Sequence, residues 1–543
     1  MSRTDHVRPW LRAVFFALTL ALSGCVWYRN AFVHLPDSTA DLRDLEPMDT
    51  ATIPRAEATP PTPPTAPPAA PPPTELTLTM EECRAAAISN NLRIQSVLVD
   101  PAIASDRVSE EEARFESVFQ GGVSYAETDT PISTETGAAS HLLDTRTGVS
   151  LPLRTGGTLS FNLADDRTHN FADGTGLDPT YASSASVSLS QPLLRNAGRR
   201  VNTHAIRLAV YGQQLAQTST RLEIIRVLAA VDRVYWRLYA SRCVLKVRRQ
   251  DFDLAQSQLD TARRLVDAGE RSPVEVLRAE SALASRLEGI ITAEVTVRDR
   301  QRELKQALNR PDLPQDSATI IVPGTEPDLA HYQFDLGSLK AQASRNRMEL
   351  LELELQLAQS DSTVEYLRNQ LLPLVMLDYT YNLNGLGDSR SESHDLLDSR
   401  RFADHRAGIS LLIPLGNGAA ESRLRQALMT RQQRLRTKAE REALIEQEVL
   451  MACDNLEAAW QRILANRQSV LLAQRLLDAE RRQYELGINT SNDVLTAQAK
   501  LADAQSAEIQ ALAEHQIALV DAAYATGTVL GAAKLRWQES TAP

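Results

Sequence analysis

The chain has 543 residues, and 69 acidic against 58 basic side chains leave a formal charge of −11. With no basic stripe to neutralise phosphates, that balance argues against nucleic acid as a partner. Aromatic residues are only 5% of the chain, and Ala, Leu, Gln, Arg and Glu fill the long central stretches, a composition suited to long helices.

Residues 1–24 read as a targeting segment. Arg3, Arg8 and Arg12 make a positive start, and the apolar run over residues 13–22 is too short to span a bilayer as a helix. Small residues Ser23 and Gly24 precede Cys25, a pattern similar to a bacterial lipoprotein signal, so the mature chain is expected to begin at a lipidated Cys25. Val26 rather than an acid follows it, which in such lipoproteins favours the outer membrane. Ten prolines in residues 54–73 make an extended tether within residues 25–75. The other three cysteines, Cys83, Cys243 and Cys453, have no metal-ligand or redox spacing and read as small buried residues.

The ordered body is expected from Leu76. Thr79 and Glu82 form a capping box, which starts a helix running with interruptions toward Arg114. The period then changes to two. Phe119, Val123 and Tyr125 alternate with polar or small residues, as do Val187 and Leu189, Val375 to Tyr381, and, more weakly, Ile409 to Ile413. An apolar face backed by a small polar one suits a lipid-embedded barrel around a wet lumen. Between the first two strands, residues 148–163 read as a hairpin around Thr155, Gly156 and Gly157; it either extends the outer loops or adds strands to the wall. The matching place in the second half, about residues 385–406, reads as a polar loop.

Long helices follow the strands. Residues 199–268 hold no proline and one glycine, and Val231, Leu238, Leu245, Phe252, Leu259 and Val266 recur every seventh position. Val449, Leu456, Ile463, Val470, Leu477 and Tyr484 repeat that stripe 218 residues later, so both helices share one left-handed coiled-coil register. Roughly 70 residues give a rod of about 100 Å. Over residues 263–283 and 481–501, seven of 21 positions are identical. Gly269 and Gly487 release the helix. Ser272, with Pro273 and Glu275, then caps the next helix; Thr490 and Asp493 do the same in the second copy. The return helices end near Arg310 and Gly531, and the second half opens with a helix over residues 336–370.

This duplicated arrangement resembles the TolC-type outer-membrane factor family, which forms exit ducts for efflux pumps and type I secretion. Tyr484, Gly487, Thr490, Asp493, Val494 and Leu495 carry its turn motif. The resemblance implies a lipid-anchored outer-membrane lipoprotein that extends into the periplasm as a homotrimer. Independently, about four strands per chain cannot close a barrel, and three chains would supply twelve. The family's partners would be a periplasmic adaptor (membrane fusion) protein, an inner-membrane pump and outer-membrane lipid. Gly269, Ser272, Gly487 and Thr490 are then the candidate docking residues at the hairpin tips, unless they only build the turns. Tyr484 and Asp493 match the family's periplasmic gate, although Tyr484 also fits the heptad core and Asp493 a capping acid. Asn489 stands where the family has a gate arginine, and Thr496 where it has a second acid.

The expected fold is mainly α with a membrane β-barrel portion: a trimeric α/β barrel duct of two repeats. The repeats span residues 76–310 and 336–531, joined by a linker at 311–335 and followed by a tail at 532–543. The expected function is a passive exit duct, with no catalytic residue, metal or cofactor. A non-transporting periplasmic coiled-coil scaffold or adaptor lipoprotein is the alternative. An enzyme has little support, because no nucleophile-elbow, zinc-helix or phosphate-loop motif sits in a suitable context.

Overall fold

The computed structural model describes residues 75–130, 138–170, 178–332 and 334–532. Cys25, the targeting segment and the proline-rich tether lie outside them, as does all of the tail beyond Ala532.

Strand β1 (Glu75–Leu78) leads into α1 (Met80–Asn90), α2 (Leu92–Val97) and α3 (Asp100–Ala113). The Thr79–Glu82 capping box forms: Thr79 N–H donates to Glu82 Oε2 at 2.8 Å and Glu82 N–H to Thr79 Oγ1 at 3.3 Å. Four strands follow, β2 (Val118–Thr130), β3 (Ala138–Pro152), β4 (Thr158–Asn170) and β5 (Thr180–Pro192). After a helical turn, α4 (Arg199–Asn202), come the first long helix α5 (His204–Asp267), its return α6 (Val274–Leu308) and strand β6 (Ile320–Pro323). The second half comprises α7 (Leu336–Asn346), α8 (Met348–Gln370), β7 (Leu374–Gly387), α9 (Arg390–Asp398), β8 (Ala403–Leu412), the long α10 (Gly418–Glu485), its return α11 (Ser491–Ala525) and the short α12 (Val529–Ala532).

Six strands form one antiparallel sheet in the order β2-β3-β4-β5-β7-β8. Of the two readings of the hairpin over residues 148–163, the one that adds strands holds, and the chain supplies six strands where about four were expected. The Thr155–Gly157 hairpin exists, and both of its arms run the full height of the sheet. Leu153 N–H donates to Gly157 O at 2.7 Å, and Gly156 N–H to Leu153 O at 2.8 Å. Helix α9 also replaces the expected polar loop. It lies against β5 and β7, where Ser393 Oγ is 2.7 Å from Ser183 Oγ. A Cβ on Gly385 would stand 2.0 Å from Ser393 O, so only glycine admits that approach. A separate two-stranded sheet pairs β1 with β6 in parallel, tying the start of the described body to the segment between the halves.

At about 1.5 Å per residue, the 64 residues of α5 and the 68 of α10 make rods of about 100 Å. Their heptad stripes are inside: Val231, Leu238, Leu259, Val449, Leu456, Ile463 and Leu477 are buried. In the first half, Leu228, Val231, Tyr235 and Leu238 pack with Cys83, Ile94, Leu304 and Ile321. Burial pushes the Cys83 thiol up to about 12, consistent with an inert core residue. In the second half, Ile445, Val449 and Ala452 pack with Ala343, Leu350 and Ala525.

The two halves share a joint that the sequence alignment did not reveal. The helix expected over residues 336–370 breaks at Arg347, in extended backbone with ψ 120°, as the first half breaks at Asn91 with ψ 120°. Each break residue reaches the C-terminal end of its own half's return helix, satisfying carbonyls left without helical partners. Asn91 Nδ2 donates to Ala307 O at 2.8 Å; Arg347 Nη1 donates to Tyr524 O and Ala525 O, each at 3.3 Å. The second return helix therefore stops at Ala525, short of the expected Gly531. No helix among the described residues is long and apolar enough to cross a membrane.

Candidate functional site

The two hairpin tips are built alike. At the first, Gly269 takes φ 78°, Gly269 N–H donates to Val266 O and Glu270 N–H to Leu265 O, both at 2.9 Å. At the second, Gly487 takes φ 79°, Gly487 N–H donates to Tyr484 O at 3.0 Å and Ile488 N–H to Gln483 O at 2.9 Å. Both are Schellman closures that satisfy the last helical carbonyls. Nothing crowds a Cβ at Gly269, and at Gly487 the nearest atom is the Arg271 guanidinium at 3.8 Å. The left-handed backbone, rather than space, requires glycine there.

The helices after the turns start differently. Thr490 N–H and Oγ1–H donate to Asp493 Oδ2 at 2.9 and 2.7 Å, and these bonds hold the Asp493 carboxyl below the usual carboxylate range. The expected side-chain cap by Ser272 does not form. Helix α6 begins after Pro273, and only the backbone carbonyl of Ser272 accepts, from Glu275 N–H at 3.0 Å. Glu275 is used elsewhere: its Oε2 accepts from the buried Ser491 N–H of the second tip at 3.0 Å. The first tip thus supplies an acid to the start of α11, where the helix dipole favours negative charge.

Arg271 makes a second link between the tips. Its guanidinium carbon lies 5.2 Å from the Tyr484 ring centroid, and Nη2 donates to Tyr484 O at 3.3 Å. Tyr484 is buried against Leu477, Val494, Ala497 and Leu501. Burial pushes its phenol up from the ordinary value, Arg271 opposes that rise, and Glu275 adds to it. The Tyr484 hydroxyl has no hydrogen-bond partner among the described residues. Asn489, expected from the resemblance to stand in place of a gate arginine, bonds within its own hairpin to Gln483 Oε1 at 2.6 Å and to Glu480. Higher up, Arg286 pairs with Asp251 at 3.1 Å and donates to Leu495 O at 2.8 Å.

Among the sequence-derived candidates, Gly269, Ser272 and Gly487 are exposed at the tips, and Thr490 and Asp493 are half-buried. Arg271 and Glu275 as cross-tip contacts were missed, because their partners lie more than 200 residues away. Leu486 and Ile488 were missed too; they stand 75% and 70% exposed beside Gly487, and two apolar residues flanking a turn glycine were the available signal. Among the described residues no acid, histidine or cysteine cluster could hold a metal ion.

A family model described as outer membrane efflux protein matches residues 86–310 and 339–528. The chain is similar to outer membrane efflux protein BepC of Brucella suis, 23% identical over 378 residues covering 68% of this chain and 76% of that one. It is 22% identical to outer membrane protein TolC of Salmonella enteritidis over 368 residues, covering 67% and 72%. Among solved structures, CusC aligns with a TM-score of 0.61 at 13% identity over 82% of this chain and 92% of its own. The outer-membrane channel OprN aligns at 0.59 and 14%, over 83% and 90%. The open-state MtrE channel of Neisseria gonorrhoeae aligns at 0.60 and 14%, over 83% and 89%. At such identities the structural likeness speaks for the fold.

Proposed function

The chain belongs to the outer membrane efflux protein family, and on that premise we propose that it is the exit duct of a tripartite efflux pump or type I secretion system. One observation carries the reading: a sheet with one apolar and one polar face continues, in the same chain, into two helices about 100 Å long, each turning back at its far end. The sheet suits the outer membrane and the hairpins suit a wide aqueous compartment. Family membership also removes the enzyme reading, and a sheet of this kind has no use in a periplasmic scaffold or adaptor. Three copies would close the duct, with Cys25 lipidated as a further anchor. Gly269, Ser272, Gly487 and Thr490, together with exposed Leu486 and Ile488, would meet a periplasmic adaptor that couples the duct to an inner-membrane pump.

The gate would sit at the tips, with Tyr484 clamped by Arg271 and the second hairpin held to the first by Glu275. Asp493 contributes by fixing the start of α11. The test is a deletion of the gene in its host, complemented by wild type or by a variant lacking the two tips, residues 268–273 and 486–490. Export and outer-membrane insertion are measured separately. Wild type restores export, and the tipless variant inserts without restoring it. A tipless variant that exports normally would overturn the docking assignment.

A further inference from the structure

We propose that three copies of this chain close an outer-membrane barrel of eighteen strands, giving a wide hydrophilic exit that sets no size limit on what passes. The proposal rests on the three-copy reading above and adds the composition of the wall. Strand β2 is paired only on its β3 side and β8 only on its β7 side, so the sheet presents two open edges. Each edge is a row of unpaired backbone donors and acceptors that needs a partner strand in lipid. Closure by copies of the same chain supplies it.

The pairings run without a gap from β2 to β8, so the narrower wall they allow is β4-β5-β7-β8, with β2 and β3 outside it. The side chains decide between the two. Following the pairings across the sheet, one row reads Phe119, Val149, Phe161, Val187, Tyr381 and His405. The adjacent row, on the opposite face, reads Gln120, Gly148, Asn162, Ser186, Asn382 and Asp404. The contrast carries through the added hairpin, with Thr147, opposite Leu163, the one polar residue that β3 and β4 place on the apolar face within the band. On β3, Val149 and Leu151 share the apolar face while Gly148 and Ser150 take the other. On β4, Leu159, Phe161 and Leu163 are opposed by Ser160 and Asn162. The apolar face spans five rows, from Val375 and Leu411 to Leu163 and Leu383. Four intervals of about 6.8 Å, tilted by about 40°, give a band of about 21 Å, close to the height of a barrel's lipid-facing belt. A hairpin extending into solvent would need no such stripe at the same height as its neighbours.

Six strands from each of three chains make eighteen. With strands about 4.8 Å apart and tilted about 40°, an eighteen-strand barrel is about 36 Å across between backbones, against about 24 Å for twelve. The polar face is lined largely by small side chains, such as Ser150, Ser160, Ser188 and Thr380, with Asp378, Asp404 and Arg406 among them, so most of that width stays open. The membrane section is then no constriction, and the size limit falls to the periplasmic tips.

The seam between copies tests this. A cysteine replacing Ile409 on β8 is combined, one at a time, with cysteines replacing Phe119, Gly121, Val123 or Tyr125 on β2, and in a second series Leu159, Phe161 or Leu163 on β4. The full-length protein is oxidised in outer membranes. The eighteen-strand wall predicts a reducible ladder of linked copies for at least one β2 position and none for β4, with wild type giving no ladder. Linkage to β4 would mean that β2 and β3 lie outside a twelve-strand wall, and linkage in neither series would mean that β8 does not close the sheet; either overturns the proposal. Native mass of the uncrosslinked protein counts copies independently. A count other than three would refute the trimer while the cross-links still report which strands meet.

Discussion

Replacing Glu275 with alanine should open the periplasmic end without unfolding the hairpins. The substitution removes a carboxylate that accepts from the wholly buried Ser491 N–H at 3.0 Å. A hydrogen bond to a charged group of this kind is worth about 1.5–3 kcal/mol. If opening carries the second tip away from the first, the closed form alone makes this bond. Losing about 2 kcal/mol then shifts the closed-to-open ratio of each copy roughly thirtyfold, since 1.4 kcal/mol is tenfold. The neighbouring Arg271–Tyr484 contact, worth about 0.5–1 kcal/mol, would remain and keep the change from being total. The assay is single-channel recording in planar bilayers with the purified full-length protein. Glu275→Ala should conduct far more often or at higher conductance than wild type. Glu275→Gln, whose amide oxygen still accepts but without the charge, should fall between wild type and the alanine variant. Hydrogen exchange at Ser491 provides the control. If exchange there accelerates in the alanine variant while conductance is unchanged, the bond has been lost without consequence for the entrance, and the gating argument fails.

Other perturbations have equally definite outcomes. Gly487→Ala forces a side chain into φ 79° and should destabilise the second tip by about 1–2 kcal/mol, seen as faster hydrogen exchange at Ile488; an unchanged rate would contradict the strained turn. Tyr484→Phe removes a hydroxyl without a partner among the described residues. It should leave denaturant stability and conductance within error, and a leaky variant would show that the hydroxyl bonds across to another copy. His515 is buried beside Trp460, with ring centroids 5.7 Å apart, and burial lowers its pKa while Asp328 opposes and His331 adds to the shift. The fold thus favours the neutral ring. That stability is fully present above the unfolded value near 6.5 and is lost as pH falls through the lowered folded one. Wild type should therefore lose more stability than His515→Gln between about pH 7 and pH 5; equal slopes would refute this.

The long helices were legible because a seven-residue stripe leaves a periodic trace, and the stripe residues from Val231 to Leu477 are largely buried as expected. The Thr79 cap and both tip glycines were legible for a similar reason: each is a local backbone requirement met by a particular residue. The strand count was not. The upper arms of β3 and β4 interrupt their apolar face with Thr145, Asp165 and Arg167, so alternation fades just where these strands pass the apolar band. The joints at Asn91 and Arg347 escaped because the same backbone break is served by an amide in one half and a guanidinium in the other. Ser272 misled because its neighbour Glu275 answers to a donor 216 residues away.

The clamp of Arg271 and Glu275 onto the second tip also has a direction. The first tip gives to the second within one chain. In a ring of three such chains, six tips alternate, and the gaps between them cannot all be alike: three are closed by this intrachain clamp and three are boundaries between chains, made by other faces. The aperture therefore has threefold, not sixfold, symmetry. An effector bound at the gaps between chains would therefore act on a different contact from a substitution at Glu275, which loosens the clamp within one chain.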